Sequence, residues 1–247
     1  LWQEFWEYGV NGRLDLITTK SIESENSHTR SLQCPLCLCT KGQLLYKSLR
    51  KNLERDYITC LGCKLVFVPA SFHLGKKDER RRYLQHNNDI DDPGYRVFLS
   101  RLSEQILPYL VPGFSGLDYG AGPGPALAAM LGEEGYPTRI YDPHFHRDTS
   151  VLRAVYDFIV CTETAEHFSN PARDFELLNN LLTPGGLLGL MTSVLYEQID
   201  FENWYYRLDP THLSFYTPET MEWIARRWDW VVWSPVENVY LFRKPNI

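Results

Sequence analysis

Four cysteines stand in two short pairs, Cys34-Pro35-Leu36-Cys37 and Cys60-Leu61-Gly62-Cys63, with twenty-two residues between them. Two such knuckles facing each other place four soft thiolates at the corners of a tetrahedron, the donor set that Zn2+ prefers. A filled thiolate shell leaves no coordination position open, so the metal expected on Cys34, Cys37, Cys60 and Cys63 is structural rather than catalytic. A redox role would call for one such pair beside a βαβ unit, and two pairs argue against it. Cys39 and Cys161 are left over, the first as a bystander and the second as a buried strand residue.

A second cluster is the turn Asp118-Tyr119-Gly120-Ala121-Gly122-Pro123-Gly124-Pro125. It follows a predicted strand and precedes a predicted helix. Its glycines allow the backbone to approach a ligand closely, and the free N–H groups of the helix start are available beside them. A dinucleotide fingerprint would place glycine at 125, where proline stands, and would have no need of Asp118. Asp142, at the end of the next predicted strand, is placed to accept hydrogen bonds from ribose hydroxyls, a role that nucleotide cofactors share.

The elements around these residues follow from periodicity and breakers. Short apolar runs predict strands over 115–119, 138–141, 157–161 and 187–192, with helices over 126–134 and 171–182 between them. Phe98, Leu102, Ile106 and Leu110 share one face of a helix that opens near Tyr95, and Thr217 with Pro218 starts another that runs to about Trp228. Two last strands, over 230–233 and 238–242 with Pro235 in the link, form an antiparallel edge. The alternation implies an α/β fold, a mainly parallel sheet with helices on both faces. Strands over 43–46, 57–60 and 65–68 give the cysteine unit the form of a zinc ribbon. The expected division is an irregular arm over 1–30, a zinc-ribbon-like module over 31–83 and the α/β domain over 84–247, with the charge run 76–82 as an exposed helix at the boundary.

Hydrophobic residues at 44% and charged residues at 23% describe a folded, soluble chain rather than a disordered or fibrous one. No run approaches the roughly 18 apolar residues of a membrane span. The first thirty residues lack a basic start followed by an apolar stretch, and paired cysteines suit a reducing compartment, so the expected location is cytoplasmic. Net charge is −6, unevenly spread: +7 over residues 31–83 and −11 over 84–247. The basic module therefore either meets an anionic partner or docks on its own acidic neighbour.

The spacing Asp118-x-Gly120-x-Gly122-x-Gly124 resembles motif I of the class I S-adenosylmethionine-dependent methyltransferases, of the type 23-like kind. The run from Asp157 to Phe168, with Thr162, Glu163, Glu166 and His167, looks like the fourth-strand motif of those enzymes, and 181–189 looks like their turn into the fifth strand. The likeness covers roughly residues 95 to 245 and departs from the family at 143–156, where no third strand with an acidic adenine contact is visible. It implies a Rossmann-like sheet and S-adenosyl-L-methionine as cofactor. The implied cofactor residues are Asp118, Tyr119, Gly120, Ala121, Gly122, Gly124, Asp142, Pro143, Thr162 and Glu163.

Methyl transfer depends mostly on positioning, and a base is needed only when the acceptor must lose a proton. Candidates at the cofactor edge are Glu163, Glu166 and His167, and beyond the fifth strand Asp209 and His212; Glu163, His167 and His212 are the expected catalytic set. The aromatics Trp204, Tyr205, Tyr206, Phe215 and Tyr216 either line an acceptor pocket or cover an inserted segment, and cover is the commoner fate. Arg96 and Arg101 are candidates for the cofactor carboxylate, and His144 and His146 read as solvated. A small-molecule acceptor is the leading expectation. RNA bound through the basic module is the alternative enzyme reading, and a non-catalytic adaptor the alternative outside enzymes.

Overall fold

The computed structural model describes residues 32–84 and 89–246, so the arm expected over 1–30 lies outside the described residues. β1 (Gly42–Ser48), β2 (Arg55–Cys60) and β3 (Val66–Phe67) pair antiparallel in that order, as the ribbon reading predicts. The charge run forms α1 (Lys76–Tyr83), which buries none of its residues.

α2 (Pro93–Ile106) opens on Asp92, whose carboxylate accepts the Tyr95 N–H at 2.6 Å, with Pro93 in the first turn. Next come β4 (Gly116–Tyr119), α3 (Ala126–Glu133), β5 (Thr138–Tyr141), β6 (Tyr156–Thr162), α4 (Pro171–Leu181) and β7 (Leu182–Met191). After a long connection follow β8 (Ser214–Phe215), α5 (Pro218–Arg227), β9 (Val231–Val236) and β10 (Val239–Arg243). The large sheet has the order β5-β4-β6-β7-β10-β9. The first four strands run parallel, and β10 is antiparallel to both its neighbours. This is the doubly wound α/β sheet expected, closed by a reversed strand.

Period two sorts its core. Phe158 and Val160 of β6, with Leu187, Met191, Val239 and Leu241, pack under α2 and α3. Ile159, Cys161, Leu188, Leu190, Tyr240 and Phe242 face α4 and α5. The same second layer continues without a break into Cys34, Leu36, Cys60, Cys63 and Leu65, so the cysteine unit shares the core of the sheet.

Three local features differ from expectation. The Pro184-Gly185-Gly186 turn is absorbed into β7, which takes an irregular register against β6 between Tyr156 and Phe158, with Gly185 at a φ of 77°. Pro235 lies in β9 rather than in the link; an edge strand tolerates its missing N–H, and Glu237-Asn238 makes the turn instead. β8 was not foreseen. It pairs with β3, Val66 opposite Phe215 and Phe67 opposite Ser214, and completes the ribbon as a four-stranded sheet.

That pairing sits on a buried cation. Arg55 is 3% exposed, and its guanidinium donates to the carbonyls of Arg207 (2.7 Å), Asp209 (2.8 Å), Pro210 (3.0 Å) and His212 (3.2 Å), and to the Tyr57 hydroxyl (2.8 Å). Arg82 of α1 reaches the Asp209 carboxylate at 2.8 Å. Two cations of the basic module are thus spent on the α/β domain. Around them Tyr57, Val66 and Val68 pack with Phe201, Trp204, Tyr206, Leu213 and Phe215, so these aromatics are cover; Tyr205 alone of the five is exposed, at 55%. Among the described residues no helix is long and apolar enough to cross a membrane.

Arg55→Met keeps the apolar stem but removes the guanidinium, so the Pro210 and His212 carbonyls lose their donor while those of Arg207 and Asp209 keep only the Tyr57 hydroxyl and the His212 N–H. Urea unfolding should show a stability loss of about 3–5 kcal/mol. A loss below about 1 kcal/mol would show that the carbonyls do not depend on the guanidinium.

Candidate functional site

The sheet order places β4 between β5 and β6, so the chain leaves β4 on one side and returns on the other, and a crevice opens at their carboxyl ends. The glycine turn lies there. Gly120 and Gly122 have φ values of 87° and 65°, in the left-handed region that glycine enters freely. A side chain on Gly120 would also collide with Thr164, whose hydroxyl donates to the Gly120 carbonyl at 3.1 Å. The Gly120 and Ala121 N–H groups both donate to the Tyr141 carbonyl, which fastens the turn to the end of β5.

Asp142, 7% exposed, follows that carbonyl. Its Oδ2 accepts the Gly122 N–H at 3.1 Å, and its Oδ1 accepts those of His144 (2.7 Å) and Phe145 (3.0 Å). Three of a carboxylate's roughly four acceptor positions are therefore in use, leaving capacity for about one ligand hydroxyl. Pro143 and the bridge between Asp142 and His146 turn the chain back at once, and no strand lies between β5 and β6 in the described sequence.

Asp118 is 3% exposed at the end of β4. Burial pushes its carboxyl up to about 7; the Ala128 N–H in the first turn of α3 opposes the rise, and Asp142 adds to it. Tyr119 sends its hydroxyl to Asp174 of α4 at 3.0 Å and stacks its ring on Tyr141, so its side chain serves the α4 face. Asp174 is pushed up to about 6 by burial, the Tyr119 hydrogen bond opposing. Thr162 keeps a buried hydroxyl with no partner at the end of β6. Arg96 is held by Glu133 and the Ile90 carbonyl, and Arg101 by the Glu237 carbonyl at 2.9 Å.

Glu163 has a φ of 46°, an uncommon conformation for a residue with a side chain, and its N–H donates to the Met191 carbonyl at the end of β7. Burial holds its carboxyl well above the usual range, with Glu166 adding to the effect. Of the residues expected to be catalytic, His167 and His212 meet, whereas Glu163 is linked to them through Tyr206, whose hydroxyl lies 3.5 Å from Glu163 Oε2 and whose ring lies 4.2 Å from that of His212. The rings of His167 and His212 are 4.8 Å apart, and Glu166, fully buried, approaches His167 Nε2 at 3.9 Å. His167 Nδ1 lies 3.0 Å from the Thr211 carbonyl and His212 Nδ1 2.6 Å from the Tyr206 carbonyl. Burial, with His167 beside it, holds His212 well below the usual imidazole range. His144 approaches Glu79 at 3.8 Å and stands edge-on to Tyr83, which also meets His167.

At the cysteine unit the sulfurs of Cys34 and Cys63 are 3.6 Å apart, those of Cys37 and Cys60 3.3 Å, and all four lie within 4.8 Å of one another. Thiolates at about 2.3 Å from a tetrahedral zinc would be spaced by about 3.8 Å, so the donors fit that ion. The knuckles share one hydrogen-bond pattern: Leu38 N–H to the Cys34 carbonyl and Lys64 N–H to the Cys60 carbonyl, each at 3.0 Å. Leu38 and Lys64 both take positive φ, 62° and 63°. Cys39 stands outside the four, and Cys161 is buried in β6.

Thr164 and Thr192 were not foreseen, since isolated threonines carry no spacing signal. Arg55 had one: it alternates with Tyr57 along β2, a cation on the strand face that turns inward.

Residues 89–234 match the model of a family described as a methyltransferase domain. A search of the curated proteins finds no match. Among solved structures, the YcgJ protein of Bacillus subtilis is 16% identical over 55% of this chain and 70% of its own, with a TM-score of 0.42. An O-methyltransferase family protein of Burkholderia thailandensis is 12% identical over 71% and 64%, at 0.44. Magnesium protoporphyrin IX methyltransferase of Synechocystis PCC 6803 with bound SAM is 10% identical over 69% and 92%, at 0.45.

Asp118 gives a pH signature. An unfolded carboxyl ionises near 3.8 and the folded one near 7, so the stability present below the first value is lost as pH rises through the second. Asp118→Asn does not ionise. Thermal unfolding of the cofactor-free protein should show the variant gaining on the wild type by about 2.5 kcal/mol between pH 5 and pH 8. A difference independent of pH would show that Asp118 ionises as freely as an exposed carboxyl.

Proposed function

This chain belongs to the methyltransferase domain family, and on that premise we propose that it transfers the methyl group of S-adenosylmethionine to a small-molecule acceptor. The observation that carries the reading is the crevice at the switch point, where Asp142 accepts the N–H of Gly122 and so joins the glycine turn to the next strand. The group fits these residues. The turn Gly120, Ala121, Gly122 and Gly124, with Gly120 and Gly122 in the left-handed region, is where its amino acid portion would lie, the last acceptor position of Asp142 suits a ribose hydroxyl, and Pro143 sets the turn beside it. Asp118, the Tyr119 backbone, Thr162 and Glu163 line the carboxyl ends of β4 and β6.

When bound, the cofactor supplies an electrophilic methyl on a sulfonium. The chain's own part is to hold an acceptor in line and exclude water, which is where most of the rate in such a transfer arises. Glu163, His167 and His212 are the acceptor-side groups: they surround the end of β6, and the 207–212 segment closes over them under the grip of Arg55. Residues 31–83 are the zinc-holding module and 84–247 the transferring domain, with Zn2+ on Cys34, Cys37, Cys60 and Cys63 keeping β2 and β3 in place for β8. With Arg55 and Arg82 committed to that contact, RNA recognition has less of the module's charge to draw on.

Calorimetric titration of S-adenosylmethionine should give micromolar binding to the wild type, at least tenfold weaker in Gly120→Ala and in Asp142→Ala. Folded, zinc-loaded wild type that binds neither the cofactor nor its demethylated product would leave the fold as a scaffold. Metal analysis should find one zinc per purified chain, lost in Cys63→Ser together with several degrees of melting temperature. Stability unchanged by chelation would refute a structural ion.

A further inference from the structure

Beside the cofactor crevice, three side chains converge without satisfying one another. One donor atom from each of Glu166, His167 and His212 falls within 4.8 Å of the other two. The groups that hold these side chains all act on the opposite atom. Thr192 donates its hydroxyl to Glu166 Oε2 at 2.9 Å, which leaves Oε1 buried and without a hydrogen-bond partner. Each histidine gives Nδ1 to a backbone carbonyl, that of Thr211 for His167 and that of Tyr206 for His212. A carbonyl only accepts, so Nδ1 carries the hydrogen, and a neutral ring then has its lone pair on Nε2. At 3.9 Å, His167 Nε2 is beyond hydrogen-bond reach of Glu166 Oε1.

The His167 lone pair and the unpartnered Glu166 oxygen approach each other, with a ring nitrogen of His212 within 4.8 Å of the cluster, and atoms so placed repel unless a cation lies between them. The surroundings are built to keep them there. The turn 165–168 is tied to the 211–216 segment by Leu213 N–H to the Glu166 carbonyl (2.7 Å), Tyr216 hydroxyl to the Ala165 carbonyl (3.0 Å) and Ser214 hydroxyl to the Phe168 carbonyl (3.0 Å). The two sequence-distant parts of the cluster therefore move as one piece. Donors whose outer atoms are fixed in this way are the mark of a metal site.

We propose that Glu166, His167 and His212 bind a divalent first-row metal ion through one carboxylate oxygen and two imidazole Nε2 atoms. Two histidines and one carboxylate leave coordination positions open, unlike the four thiolates of the cysteine unit. Thr164 ties the same turn to the Gly120 carbonyl, so the cluster adjoins the cofactor crevice. The acceptor class then follows, and this second step rests on the methyltransferase reading: a ligand that presents a hydroxyl oxygen to the ion, which lowers the hydroxyl's pKa. In the balanced transfer the hydroxyl proton leaves to solvent and the O–CH3 bond forms. The S–CH3 bond breaks with its electron pair remaining on sulfur.

Mn2+ is the discriminating probe, because a hard ion avoids the thiolate site. Titration of the full, zinc-loaded chain followed by electron paramagnetic resonance should show one bound Mn2+ per chain. Affinity should fall at least tenfold in Glu166→Gln and in His167→Gln, and by about 10–100-fold in Thr192→Val, which alters no ligand. Circular dichroism on the same samples identifies any variant that has unfolded, and His167, which is partly exposed, is the substitution least able to disturb folding. Folded wild type that binds no Mn2+ up to millimolar concentration, or equal binding by wild type and all folded variants, would overturn the proposal. S-adenosylmethionine binding measured alongside separates the two readings. Mn2+ bound without cofactor refutes methyl transfer and leaves the metal site standing, and cofactor bound without Mn2+ does the reverse.

Discussion

A guanidinium keeps its charge at any ordinary pH, and taking one out of water is tolerable only when acceptors surround it. Arg55 is such a group, and its requirement shapes the molecule. The 207–212 segment must turn four carbonyls inward to meet it, and a segment bent in that way has little freedom left. His212 is carried on the same bend, the aromatics of 201–215 close around it, and the short strand β8 is delivered to the open edge of β3. The uneven charge of the chain acquires a physical meaning here. Part of the module's positive excess is an internal fastening, with Arg82 on Asp209 as its half-exposed second point.

The elements that could be read from the sequence were those with a strong local period. β5 falls on the predicted residues, and α3, α4 and α5 end within a residue or two of their predicted bounds, because capping residues, prolines and glycines mark them. The cysteine pairs and the glycine turn were legible for a different reason: their chemistry depends on spacing within a few residues. What escaped was long-range. Nothing local in Ser214-Phe215 distinguishes a two-residue strand from a loop, and its partner is in the module. The threonines that steady the site, Thr164 and Thr192, are likewise meaningful only once the carboxyl ends of β4, β6 and β7 stand side by side.

Several carboxyls of this region are buried or half-buried. Asp118, Glu163 and Asp174 all have their ionised forms disfavoured by burial, and Glu166 lies among them fully enclosed. Such a region is costly to leave empty of positive charge and gains when a cation arrives. A sulfonium is one cation suited to it. On the other side of the crevice, where the chain turns back at Asp142 instead of adding a strand beyond β5, one carboxylate both ends the strand and fastens the glycine turn.

The antiparallel pairing of β3 with β8 also sets an order of events during synthesis. Ser214 follows Phe67 by 147 residues. At ribosomal rates of about 5–20 residues per second, the ribbon waits roughly 7–30 s with an unpaired edge before its fourth strand emerges. Over that interval Val66 and Phe67 present open backbone groups and apolar side chains, the condition under which strands of neighbouring nascent chains join. The two-residue length of β3 offers such a neighbour few hydrogen bonds to capture. Its brevity thus protects the half-made protein, and the finished one compensates through Arg55.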